Sequence, residues 1–305
     1  MTKAPLKAAT LLNIRYQFVL LAISLTFLTN VKLAAEQPFT PEIRAQCEQV
    51  LMNSLAARGE WSSVHAAEYL IRLDMTSQVL DTFRQQAENA TPPFRIGVWR
   101  VLAQADPSQE ARHAYVEKIR TVLLDDQATD RLHALESLAK LGIAIQSPAE
   151  LKVVQRMSVP DDPGGSFALW RLYQQRPTSP IIDRLVQQLH SEDDVARLRA
   201  GFVLSQLKSL PEKARTSAAQ ALSEEPTDSA AYPYVASACG TAELRKLRTS
   251  QDPSHQALAI RELATRSPEI DRSLPTALNE SNPLALRQAA AFAILWRDRD
   301  STRIQ

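Results

Sequence analysis

Two His–Glu pairs are the sharpest chemical coincidence in the chain: His65-Ala-Ala-Glu68 and His133-Ala-Leu-Glu136. On a helix, residues three apart share a face, so each pair could hold a proton or part of a metal shell. Two side chains are fewer than a zinc ion takes from a protein. Helices stacked in order at roughly 8–10 Å would hold the two pairs on the order of 20 Å apart, too far to share an ion. The expectation is therefore that His65, Glu68, His133 and Glu136 form a recurring polar helix edge and bind no metal. His113, His190 and His255 add no metal-ligand spacing.

Aromatic and arginine side chains offer a different chemistry, that of a binding hot spot. Trp99 precedes Arg100 and Trp170 precedes Arg171, while Trp61 and Trp296 stand in or beside similar segments. The acidic turns Asp125-Asp126, Asp161-Asp162 and Glu192-Asp193-Asp194 lack the spaced oxygens and glycine of a calcium loop. They read as helix N-caps. No Gly-rich phosphate loop, nucleophile elbow, His-Glu-x-x-His or Cys-x-x-Cys is found, which argues against an enzyme and implies no cofactor.

These residues sit in a frame that repeats. It runs Val64–Leu70, Ile96–Leu102, Leu132–Leu138, Ser166–Leu172, Leu198–Leu204, Ala257–Leu263 and Leu286–Phe292. The first five copies begin 32, 36, 34 and 32 residues apart. The 59-residue gap before Ala257 leaves room for a degenerate copy near Tyr232–Ala238. A period near 30–35 residues is the signature of stacked helical units. Position seven of the frame is large and apolar in every copy, and position one in all but those that begin at Ser166 and Ala257. Position three is Ala at Ala66, Ala134, Ala168, Ala200 and Ala259, so neighbouring helices can approach closely. A first helix is expected over Pro41–Arg58 as an N-terminal cap. Second helices are expected at Thr76–Ala90, Pro107–Leu124, Pro148–Met157, Pro180–His190, Pro211–Ser223, Ala242–Leu247 and Pro268–Leu278. Val159–Gly165 is a loop.

Composition agrees with helices throughout. Only 7 glycines occur in 305 residues, aromatics make up 6%, and most of the 18 prolines fall between apolar segments, where they suit helix starts. A net charge of +1 with interleaved signs supplies no cationic field for nucleic acid. Lys3, Lys7 and Arg15 precede the apolar run Phe18–Leu28, and Leu33-Ala-Ala35 resembles a cleavage site. That order is expected of an export signal over residues 1–35. An uncleaved anchor is the alternative, and membrane contact would follow only then. Cys47 and Cys239 lie 192 residues apart and are expected to be two free, buried thiols.

The pattern of a hydrophobic residue, Arg or His, then Ala with a trailing Leu resembles bacterial HEAT-like repeats of the phycobilin-lyase type. It is clearest in Leu198-Arg-Ala-Gly-Phe-Val-Leu-Ser-Gln-Leu207 and Leu286-Arg-Gln-Ala-Ala-Ala-Phe-Ala-Ile-Leu295. The resemblance implies an all-α fold, a right-handed α-solenoid of about seven to eight helical hairpins over residues 36–297, with a polar tail at 298–305. It is specific for fold and silent on activity. The expected role is an exported bacterial scaffold, periplasmic or at the cell surface, that binds another protein in a concave groove. Arg84, Arg120, Arg184, Trp99 and Trp170 are the expected anchors. The alternatives are an enzyme or ligand carrier with a site near Asp161–Ser166 or Tyr232–Tyr234, and a structural part of an envelope complex.

Overall fold

The computed structural model describes residues 39–303 apart from 208 and 270. The expected export segment lies outside the described residues. Among them the chain is all-helical, with fifteen α-helices, one 3-10 turn and no strand. In order these are α1 (Pro41–Leu55), α2 (Trp61–Arg72), α3 (Thr76–Ala87), α4 (Phe94–Ala105), α5 (Gln109–Leu124), α6 (Arg131–Lys140), α7 (Pro148–Met157) and α8 (Gly165–Gln175). They continue as α9 (Ser179–Gln188), α10 (Asp194–Gln206), α11 (Glu212–Glu224), α12 (Tyr232–Cys239), α13 (Thr241–Arg248), α14 (Pro253–Arg266), the 3-10 turn Leu274–Leu278 and α15 (Leu284–Arg303).

Local chemistry explains the helix starts. The side chains of Thr40, Ser108, Ser147, Asp193 and Asp252 each accept from a backbone N–H in the first turn that follows. Pro41, Pro148 and Pro253 occupy the first helical position, where a missing N–H costs nothing. The five alanines at frame position three are all fully buried between helices.

Each frame-bearing helix packs against the next, through α2, α4, α6, α8, α10, α12, α14 and α15. The remaining helices lie outside this series, each against at least one frame helix beside it in sequence. The series does not end at α15. That helix packs on α1 and on α2, so the contacts return to their start and the helices form a ring. One continuous core holds Cys47, Leu51 and Leu70 from the beginning together with Leu286, Phe292 and Leu295 from the end. Tyr69 stacks on Phe292 at 4.7 Å, Gln288 Nε2 donates to the Ser62 carbonyl, and Arg44 makes a two-oxygen bridge to Asp298.

Several expectations are corrected. The two ends meet, whereas an open array would hold them apart. Alternating frames do not settle this, because closure depends on a small rotation summed over every unit. Residues 298–303 continue α15, and Asp298 and Arg299 join it to α1 and α2, so they are no free tail. Among the described residues of the expected 268–278 helix only Leu274–Leu278 is helical, and as a 3-10 turn. Asp271 Oδ1 accepts from Ser273 N and turns the chain just ahead of it. Both cysteines are free, but only Cys47 is fully buried; Cys239 is half-buried.

Candidate ligand cavity inside the helical ring

Frame position five is occupied in turn by Glu68, Arg100, Glu136, Trp170, Phe202 and Arg261. Position nine carries Arg72, Gln104, Lys140, Gln206 and Thr265 in the corresponding helices. These positions are one turn apart and share a face. In the ring that face points inward. Most of these side chains, joined by His65, Tyr69, Glu262 and Arg266, line one cavity of about 530 Å³. Six helices contribute to it: α2, α4, α6, α8, α10 and α14.

On one wall the two His–Glu pairs come under shared control. Arg100, almost fully buried, donates from Nε to Glu68 Oε1 at 2.8 Å and from Nη1 to Ser137 Oγ at 3.0 Å. Lys140 Nζ lies 2.6 Å from Glu136 Oε1. His65 Nδ1 is 3.8 Å from Glu68 and His133 Nδ1 is 3.9 Å from Glu136. Burial alone would raise the pKa of Glu68, but Arg100, His65 and Lys140 outweigh it and hold the carboxyl well below its usual range. Glu136 is depressed in the same way, against burial, by Lys140, His133 and Arg100. The pairs are therefore not independent sites on the order of 20 Å apart, as a straight stack would require. Ring curvature brings the inner edges together: Trp61 of α2 reaches across α4 to lie 5.2 Å from the His133 ring of α6.

On the facing wall, Glu262 takes ion pairs from Arg261 at 2.9 Å and Arg266 at 2.5 Å. Arg266 also donates to the carbonyls of Ser205 and Ser237. Aromatic rings fill the space between. Trp170 and Phe202 meet edge to face at 5.9 Å, Tyr234 follows Phe202 at 6.1 Å, and Lys140 lies over the Phe202 ring. The lining holds four cations (Arg72, Lys140, Arg261, Arg266) and two carboxylates (Glu68, Glu262), and 4 − 2 gives +2 for these six side chains. Among the described residues, the exposed Arg72 guanidinium makes no ion pair or hydrogen bond, although its charge bears on Tyr69. No group of three or more His, Cys, Asp or Glu is placed to hold a metal ion among the described residues.

Of the five anchors expected from sequence, Trp170 alone lines this cavity. Arg84 pairs with Asp106 at 2.8 Å, and Arg184 donates to the Ser158 carbonyl. Arg120 is buried, where it bonds Glu117 and, at 3.1 Å, Glu150. Glu150 also accepts from buried Arg171, so one carboxylate serves two guanidinium groups. Trp99 is half-buried beneath Arg95 and Lys118, its indole N–H without an acceptor. The loop at Asp161–Ser166 lines a separate cavity of about 510 Å³ with Asp193 and Arg199. Its acidic side chains act as local caps: Asp162 Oδ1 accepts from Gly164 N and Asp193 Oδ1 from Val195 N. Arg72, Lys140, Arg261 and Arg266 went unread in the sequence, although Arg72 and Lys140 recur four residues beyond frame position five and Arg261 falls at position five itself.

No protein-family model matches the sequence, and no curated protein matches it.

Proposed function

We propose that the chain is a non-catalytic binding protein whose recognition surface is the inner wall of its ring. In this reading the repeats are HEAT-like hairpins, seven or eight in right-handed succession, that close rather than remain open. The basic and apolar order of residues 1–35 supports export, and hence work in the periplasm or at the cell surface. One observation carries the proposal: the polar edges of six helices converge on a single cavity of about 530 Å³. That volume is within the range of roughly 300–1,000 Å³ that small-molecule sites take.

Native mass spectrometry of the protein isolated gently from its source envelope tests the reading. A bound species is expected, and Ser205→Trp, which fills the cavity, is expected to remove it while the urea midpoint stays near wild type. Retention of the species by a folded Ser205→Trp variant would sink the proposal.

A protein partner on the outside is the second reading, favoured by Val159 and Val195. Both are large apolar residues, left 47% and 44% exposed, Val159 on the loop after α7 and Val195 in the first turn of α10. Val159→Asp with Val195→Asp should abolish capture of such a partner and leave the cavity's guest bound. Capture undiminished in the double variant would exclude that edge.

A further inference from the structure

We infer that the guest of the central cavity is a small organic anion, a carboxylate or phosphate carried on a flat apolar body. The inference rests on the proposal that the inner wall is the binding surface. It goes further by assigning the guest's charge and shape.

Charge is decided by what the cavity already satisfies. Glu68 is held by Arg100, Glu136 by Lys140, and Glu262 by Arg261 and Arg266 together. No lining carboxylate is left to receive a cationic guest. The surplus lies on the cationic side, +2 along the lining, and Arg72 contributes a guanidinium that makes no bond among the described residues. Arg72 of α2 and Arg261 of α14 line the cavity together with Tyr69, and both guanidinium charges act on the Tyr69 phenol. Two guanidinium groups and a phenol lining one cavity match the oxygens of a carboxylate or phosphate, which take charge-assisted bonds from a planar fork.

Shape is decided by the neighbouring wall. Trp170 and Phe202 present rings to the same cavity, and between them the two rings carry only the indole N–H as a hydrogen-bonding group. A flat apolar body can lie against these rings while its anionic end reaches Arg72. About 530 Å³ admits a fused two-ring molecule.

Three naphthalene probes of nearly one shape test this on the full chain by calorimetry: 2-naphthoate, 2-naphthyl phosphate and neutral 2-naphthylmethanol. Both anions are expected to bind, with the alcohol at least about tenfold weaker. Arg72→Gln should weaken the anions by roughly tenfold and leave the alcohol unchanged, since a charged hydrogen bond is lost only for the anions. Ser205→Trp should abolish all three. A preference between the two anions distinguishes a carboxylate source from a phosphate ester.

If the alcohol binds as tightly as the anions, the charge assignment is overturned, while sensitivity to Ser205→Trp would keep the cavity reading alive. Anions that bind wild type and Ser205→Trp alike sit elsewhere, and both readings fall. Binding of none of the probes overturns the flat-anion assignment, and the native species seen by mass spectrometry then judges the cavity independently.

Discussion

The rings of Trp61 and His133 lie 5.2 Å apart, tilted by 32°, although two copies of the frame separate them in sequence. The intervening helix α4 allows this because it carries Gly97 where its neighbours carry His65 and His133. A Cβ at Gly97 would stand 2.9 Å from Trp61 Cζ3 and 3.0 Å from Val64 Cγ2. Trp61 also meets Phe94 edge to face at 6.0 Å, so its ring is held on several sides. A single missing side chain thus lets α2 reach α6 at the inner wall.

Gly97→Val should therefore destabilise the ring despite valine's greater preference for a helix over glycine. Overpacking against a constrained indole typically costs about 1–3 kcal/mol. Urea unfolding followed by tryptophan fluorescence measures it. A midpoint at or above wild type would mean that the indole moves aside freely.

Ring closure makes a prediction that an open array does not share. Phe292 of α15 is fully buried and stacks on Tyr69 of α2. Phe292→Ala should cost about 3–5 kcal/mol. In an open stack of repeats, damage at one end loosens chiefly the neighbouring units. Here amide exchange should accelerate in α1 and α2 as much as in α14. Cys47 offers a second readout, since burial pushes its thiol up to about 12 and alkylation at pH 8 should be negligible in wild type. Labelling of Cys47 should rise in the variant. Unchanged protection of α1 would contradict closure.

Much of the fold was legible before any coordinates. The alanines at position three are buried as their size implied, the caps act where Ser, Thr and Asp precede apolar runs, and the degenerate copy near Tyr232 is a helix. The cavity was not legible, because a charged edge on an amphipathic helix normally marks a solvated face. Glu68, Arg100 and Glu136 fit that description locally. Only the closed geometry turns their edge inward. One clue was present in α15, where every residue from Ala289 to Leu295 is buried, more than an exposed terminal helix would tolerate.

The triad of Arg120, Glu150 and Arg171 concerns stability rather than binding. Glu150 is fully buried and takes both arginines, and Arg171 Nε and Nη1 have no acceptor. Burial pulls the Arg171 guanidinium down to about 10, with Glu150 opposing the shift and Arg120 adding to it. Glu150→Gln would leave two buried cations facing one another, and a loss of about 3–5 kcal/mol is expected. Replacing Arg120, Glu150 and Arg171 together with Met, Leu and Met should be far milder, because no charge is then stranded. Chemical denaturation of both proteins compares them. A triple variant as unstable as Glu150→Gln would show that shape, and not stranded charge, sets the cost.

Acid should unfold the protein partly through the inner wall. Glu68 and Glu136 ionise far more readily in the ring than in the unfolded chain, where their ordinary value is 4.5. As pH falls through that value, the unfolded chain takes up protons first, so the ring loses stability. The contribution is fully present above about pH 5 and is lost progressively as pH drops towards the depressed folded values. Glu68→Gln with Glu136→Gln removes both groups and leaves Arg100 and Lys140 without their carboxylates. The double variant should be less stable than wild type at pH 7. Its urea midpoint should nonetheless fall less steeply between pH 5 and pH 3. Parallel slopes for the two proteins would mean that other carboxylates, such as Asp106 held by Arg84, carry the acid transition instead.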